Sequence, residues 1–559
     1  MDDSILDSAP AASEAEPEGA ASGRRYPIWP LVIWLVVVVG TLLARPAPVP
    51  AEARIFSAAW WEWQGVGVDA DWTSGVAPLL VSLIHAGWAL VGVVDWVPRL
   101  IVPAFGLMTL LVIVPVARDL WPGQPRVARL APVILIGFAP FAGFAGLAVT
   151  PTAMMAAVLL GLAGGVRLWR GAKVIGGLLL ALGSALGLAV VGPLAILPVA
   201  AALLTTPWWW RGSLPLGSWR TWYGVVGAAL AAGVAASLPW LWSRFAGSTA
   251  VGALWGADAG SGLAWYFWLL LAPVVFYPWP WWRTARHAVL HQACRLLDED
   301  AFRLALAAAA AAAAGFLVGG HWAVEDLLPL LAPLSLCLAR LLSAENSPAR
   351  DFHAVGAALP ILLAGVVFFL LNIVPVAHLD DLWRGLSDSE ERLPVWLGGV
   401  GLAAGMLIMG GGFLLAQLVP RGLHSRAIQV ALLSTLLATA LNLEMVRGLR
   451  PFFDLAPLAD QLHALQQSGR PVAVFGPYAG EFDFAGRLSA PPAVLADPAA
   501  ALAWASMHAD GVVLTRLQGG LLHLPAKPLY LGAAGQDWAA LWSAQTVTAT
   551  AGEVLRRQF

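Results

Sequence analysis

Apolar residues fall in long blocks separated by short polar stretches along most of the chain. A helix that crosses a bilayer needs about 20 predominantly apolar residues. The blocks 27–44, 99–117, 129–150, 152–168, 174–190, 192–206, 219–243, 263–282, 301–320, 325–342, 355–375, 396–418 and 426–445 are read as spans. Several are short and rich in Gly or Pro. Residues 1–23 are acidic, rich in Ala, Ser, Glu and Gly, and aperiodic, which predicts a disordered tail. The first apolar block starts late and lacks a small-residue cleavage site, so it reads as a retained helix. The alanine run Ala307 to Ala314 lies within a span, where small side chains permit close helix packing. Beyond about 447 the pattern changes. "RPVAVFGPYAGEFDF" and "DGVVLTRL" read as strands and 496–508 as a helix between them, which predicts a small α/β domain over 447–559.

The stretch 76–93 is nearly as apolar as the spans, and charge decides its place. Lys and Arg gather on the cytoplasmic side of membrane proteins. Arg24 and Arg25 precede the first span, which puts the N-terminus inside. Arg118, Arg126 and Arg129, then Arg167, Arg170 and Lys173, then Arg211 and Arg220, form the next basic loops. Arg283, Arg286 and Arg295, Arg340 and Arg350, and Arg421 and Arg426 form the rest. All fall inside only if 76–93 lies along the outer surface. Thirteen spans then place 24–446 in the membrane domain and the C-terminal domain outside. A multi-pass protein of a bacterial inner membrane, with a periplasmic C-terminal domain, is the expected arrangement.

Composition agrees. The chain is 59% hydrophobic and 12% charged, with a mean hydropathy of +0.74, against about 25% charged in soluble domains. A net charge of -2 with no basic face argues against nucleic acid as a partner. Many of the 29 Trp residues sit at the ends of apolar blocks, as interfacial belts require. Cys294 and Cys337 read as inert thiols, and the ten His residues show no metal-ligand spacing.

Candidate chemistry lies in the outside segment 45–98. Glu52 could act as a base or hold a metal, and Arg54 could meet a phosphate. Asp69 and Asp71 add carboxylates nearby. The competing reading makes all four ordinary solvated loop charges.

The segment "RPAPVPAEARIFSAAWWEW" resembles the first periplasmic loop of bacterial GT-C glycosyltransferases, relatives of lipid A aminoarabinose transferases and protein O-mannosyltransferases. The resemblance continues in order through "APLLVSLIHAGWALVGVVDWVPRLIVPAFGLMTLL", "ARDLWPGQPRVARLAPVIL", "GLAVVGPLAILP", "SLPWLW", "DLLPLLAPLSL" and "RPVAVFGPYAGEFDFAGRL". It implies a GT-C-like membrane domain, with surface helices after the first span, and transfer of a sugar from a polyprenyl-phosphate donor at the periplasmic face. In the family an acidic first-loop residue serves as base, while basic residues, often with a divalent metal, hold the donor phosphate. Glu52 would then be catalytic, Arg54, Asp69 and Asp71 would bind substrate, and a divalent metal would be expected only of an active enzyme.

Departures from the family pattern are numerous. The first-loop Asp falls on Ala51 and the motif Tyr on Ile55, whereas Glu52 and Arg54 remain. The phosphate-binding Lys falls near Gly75, Val76, Ala77 and Pro78. A second family Asp falls on Pro151, a Lys before Gly-Pro on Val191, and a later Lys and aromatic near Trp322 and Asp326. The scaffold residues Pro46, Pro98, Arg99, Gly192, Pro193, Pro239, Trp240 and Pro329 remain. In the C-terminal domain Tyr478, Glu481, Asp483 and Arg487, with Phe482 and Phe484, either line an acceptor site or alternate along a strand with the Phe residues inward. Two functions therefore stand. One is a glycosyltransferase with an impaired site. The other is a non-catalytic pseudoenzyme, a membrane subunit binding a lipid or a partner protein. A transporter would want charges inside the spans, and those are nearly absent.

Overall fold

The computed structural model describes residues 27–46, 48–66, 77–212, 217–245, 271–319, 323–345, 354–374, 399–418, 422–517, 524–534, 537–550 and 552–556, together with 378, 396 and 420. The first part is helical throughout. In order it comprises α1 (Trp29–Ala44), α2 (Ala53–Trp63), α3 (Pro78–Val91), α4 (Pro98–Leu120), α5 (Pro125–Gly137), α6 (Ala139–Phe144), α7 (Thr150–Trp169) and α8 (Lys173–Val190). It continues with α9 (Leu197–Leu204), α10 (Thr206–Trp209), α11 (Trp219–Phe245), α12 (Arg283–Leu296), α13 (Asp300–Gly319), α14 (Leu328–Ser343), α15 (Val355–Ile373), α16 (Leu402–Gln417) and α17 (Leu423–Val446).

Among the described residues, eight helices are long and apolar enough to cross a bilayer, and four shorter apolar ones accompany them. This is a polytopic membrane domain. Several expected spans differ from their predicted outlines, and 192–206 is a 3-10 turn, Pro193–Ala195, followed by the short α9 and α10. The block 129–150 breaks at Phe138 into α5 and α6, because Pro140 at the start of α6 cannot continue an α5 hydrogen-bond ladder. The first part of 263–282 lies outside the described residues. Helix α3, at 14 residues, is about 21 Å long against a hydrocarbon core of about 30 Å. It packs on α2 and on the end of α8.

Small residues set the closest helix approach. Helices α7 and α8 meet through Gly161, Gly164, Gly176 and Gly183. A Cβ on Gly164 would stand 2.3 Å from the Leu180 backbone nitrogen, and one on Gly183 would stand 2.5 Å from that of Gly161. Backbones this close need glycine on both partners. The alanine run in α13 faces α9 and α14, which it also approaches closely.

The helix ends sort by charge. Arg167 pairs with Asp119 at 3.1 Å, Arg340 pairs with Glu299, and Arg211 pairs with Asp298 at 3.3 Å. All sit where α4, α7 and α14 end and α8 and α13 begin. At the opposite, arginine-poor end, α1, α8 and α17 finish and α4, α7 and α14 start.

After α17 come α18 (Arg450–Phe453) and α19 (Ala456–Gln467), then a five-stranded sheet. Strands β1 (Val472–Phe475), β2 (Ala493–Leu495), β3 (Val512–Leu517), β4 (Tyr530–Ala534) and β5 (Asp537–Ser543) are ordered β2-β1-β3-β5-β4. The first three are parallel; β5 runs antiparallel to β3 and forms a hairpin with β4. Helix α20 (Pro498–Met507), capped by Asp497, crosses from β2 to β3, and α21 (Ala544–Ala549) and α22 (Glu553–Arg556) follow. One face of the sheet closes over Trp504, Trp542, Val547 and Leu555. The other merges with α2, α3 and the starts of α4 and α7 into a single apolar cluster.

Candidate functional site

Glu52 sits at the arginine-poor end, in the 3-10 turn Pro50–Glu52 that leads into α2. It is fully buried, at 0% exposure. The Arg99 Nε donates to both carboxylate oxygens at 3.0 Å, and the Arg99 Nη2 donates to Oε2. The backbone N–H of Ala148 donates to Oε1 at 2.8 Å, and that of Val49 to Oε2 at 3.2 Å. Every lone-pair direction of the carboxylate is therefore met by a donor within the chain. Arg99, 2% exposed, turns its remaining donors to the carbonyls of Arg45 and Pro46. The pair thus ties the loop after α1 to α4 and to the start of α7.

Arg45 stands behind this pair. Its Nε donates to Asn442 Oδ1 at 2.7 Å, and Asn442 Nδ2 donates to Thr41 Oγ1, which joins α1 to α17. Burial lowers its guanidinium to about 10, Glu52 opposes that shift, and Arg99 adds to it.

Arg54, two residues beyond Glu52 on the first turn of α2, is exposed. Asp69 and Asp71 lie outside the described residues, as do Gly75, Val76 and Trp322. Ala51 is exposed, and Pro151 opens α7 half-buried. Ala77 is buried, with a φ of 29° directly before Pro78. Val191, where the resembling family carries Lys, packs against the apolar cluster of α2, α3 and the sheet. Asp326 accepts the backbone N–H of Ala323 at 3.2 Å, in the turn before α14. No three His, Cys, Asp or Glu side chains come together among the described residues.

The segment 476–488 departs from its sequence reading. Strand β1 ends at Phe475, and the rest is a chain of turns. Inward aromatics do not alternate with exposed charges: Glu481, Phe482, Asp483 and Phe484 are all buried. A turn wound on itself, unlike a pleated strand, can direct successive side chains inward when each polar one finds a partner. Asp483, 0% exposed, accepts Ser57 Oγ at 2.5 Å and Trp61 Nε1 at 2.8 Å from α2, and Tyr478 OH at 2.6 Å. Burial first, and then the neighbouring Asp483 and Glu481 carboxylates, hold the Tyr478 phenol well above its usual range. Glu481 accepts Arg516 from β3 and the N–H of Ala479. The Trp60 indole donates to the Leu488 carbonyl at 3.0 Å. Phe484 stacks on Trp88 of α3, with centroids 5.4 Å apart, and meets Phe56 edge-on at 4.8 Å. The Arg487 guanidinium lies 3.6 Å from its ring centroid. Gly480, with φ +80°, brings its backbone against Ser57, where a Cβ would stand 2.4 Å from the side chain. The proposed acceptor-site residues are thus the seam that clamps the C-terminal domain to α2 and α3.

Comparison with solved structures fits this architecture. The crystal structure of ArnT from Cupriavidus metallidurans in the apo state superposes with a TM-score of 0.67 at 14% identity, over 94% of this chain and 99% of that one. Its form bound to undecaprenyl phosphate gives 0.67 at 15%, over 92% and 96%. The chain has an ArnT-like GT-C fold. The likeness takes in most of both chains. No family model matches the sequence, and no curated protein matches it. Sequence reasoning had Arg99 as a scaffold residue without a partner for it, and it missed the pairing of Ser57 and Trp61 with Asp483. The spacing of Ser57 and Trp61, i and i+4 on one helix face, was the available signal.

Proposed function

We propose that this protein keeps the scaffold of a polyprenyl-phosphate sugar transferase without its acid–base chemistry, and acts as a membrane subunit that binds a lipid or a partner protein. The observation that carries this reading is the state of Glu52. A general base must present a free lone pair to the hydroxyl it deprotonates. The Glu52 oxygens are instead taken up by Arg99 and two backbone N–H groups inside a dry core. Apolar or non-ionisable residues at Ala51, Pro151 and Val191 support the same conclusion, because none can neutralise a phosphate leaving group. The reading places the protein in a bacterial inner membrane, with the arginine-rich end cytoplasmic and the C-terminal domain periplasmic.

A second reading is favoured by the extent of the fold likeness, which includes ArnT bound to undecaprenyl phosphate. In it the protein is an active glycosyltransferase at the periplasmic face, Asp69 or Asp71 supplies the base, and Arg54 meets the phosphate of a polyprenyl-phosphate sugar.

The purified protein, reconstituted with polyprenyl-phosphate sugars and lipid acceptors, separates the two. The first reading expects lipid binding with no turnover, and binding unchanged in Asp69→Asn and Asp71→Asn. Turnover that either substitution abolishes would establish the second reading and end the first.

A further inference from the structure

Helix α12 belongs to neither the transfer site nor the seam. It lies at the arginine-rich end, where α14 finishes and α13 begins: His287 Nδ1 stands 3.0 Å from Glu345, just past α14, and Leu296 leads directly into α13. One face, formed by Thr284, Ala285, Ala288 and Leu296, is buried against α14 and the turn Trp279–Trp281. The other face leaves Arg283, Arg286, His287, His291 and Arg295 exposed. Set among them are apolar side chains that are also uncovered, with Leu290 at 75% and Val289 at 45% exposure. The stretch 283–297 contains no acidic residue.

We propose that α12 lies in the membrane interface and binds the anionic lipid headgroups of the leaflet at this end. Three observations select that occupant. The helix sits at the level where two spanning helices end, so its exposed face meets headgroups. Arginines flanking Leu290 match a surface that is anionic outside and apolar just beneath, the arrangement of interfacial amphipathic helices. The adjoining Trp281, partly exposed, and the half-exposed Trp208 at the same end supply the aromatic anchors usual at that depth. The inference does not depend on whether the protein transfers sugar.

Cys294 makes the test direct. It is exposed on α12, one turn beyond Leu290, whereas the other cysteine, Cys337, is buried in α14. The full-length protein would be labelled at Cys294 with an environment-sensitive fluorophore and placed in nanodiscs of phosphatidylcholine alone or with phosphatidylglycerol. Blue-shifted emission, quenched by spin-labelled lipid, is expected, with the shift growing with phosphatidylglycerol content and weakening at high salt. Each arginine near an anionic surface biases attachment about five-fold. Arg283→Gln, Arg286→Gln and Arg295→Gln together should therefore remove most of the phosphatidylglycerol dependence, with the protein still monodisperse by gel filtration. Emission that ignores lipid charge, a triple variant indistinguishable from the parent, or a label quenched by aqueous iodide as freely as in unfolded protein would each overturn the proposal.

Discussion

Glu52 and Asp483 are both fully buried carboxylates at the arginine-poor end of this protein, and they are satisfied in different ways. Glu52 is met by a guanidinium and two backbone amides, and it holds helices of the membrane domain to one another. Asp483 is met by a serine hydroxyl, an indole and a phenol, and it holds the C-terminal domain to α2. The first is an ion pair whose loss strands a charge. The second is a set of hydrogen bonds to a charge, each separately removable. The oxygens of both are engaged by donors within the chain.

The contrast can be broken most forcibly at Arg99. Arg99→Ala leaves Glu52 uncompensated, and breaking one side of a buried pair costs about 3–5 kcal/mol. A large drop in Tm in detergent is expected, and Arg99→Met with Glu52→Gln should recover part of it; equal Tm values for the single and double variants would refute the coupling.

Asp483→Ala should come next. Hydrogen bonds to a charged group are worth about 1.5–3 kcal/mol each, but removing the acceptor also relieves the burial of its charge, so the three losses do not add in full. The damage should be local: hydrogen exchange should rise in α2 and in 476–488 while α4 and α7 stay protected. Uniform loss of protection would show that the two carboxylates act as one unit.

Gly480→Ala tests the close approach in the same seam. The added Cβ meets Ser57 in a backbone conformation that disfavours side chains, a cost of about 1–3 kcal/mol. Protease cleavage between the domains should therefore rise above the parent rate; an unchanged rate would show that the seam yields without cost.

The smallest effect concerns Asp537, at the start of β5. Burial raises its carboxyl above the usual range, with Arg516 opposing. A raised folded-state pKa means that the folded protein binds the proton more tightly than the unfolded chain does. Stability should thus increase as the pH falls into the carboxylate range. Asp537→Asn should raise the Tm slightly at neutral pH and lose that advantage in acid.

The membrane domain and the terminal α/β domain could be read from the chain, because apolar block length is a one-dimensional signal. The chemistry available at single positions was legible too. That Ala51, Pro151 and Val191 cannot move protons follows from their chemistry alone. What Glu52 and Asp483 do was not legible, since a carboxylate reads the same whether it faces water or a guanidinium 47 residues along the chain. Asp483 meets Ser57 across 426 residues, and no local pattern encodes such a pairing. The sequence by itself determined which segments leave water and which side chains are able to carry charge. Only the tertiary structure decided which charges are already spent on one another, because that depends on which donors packing brings within 3 Å.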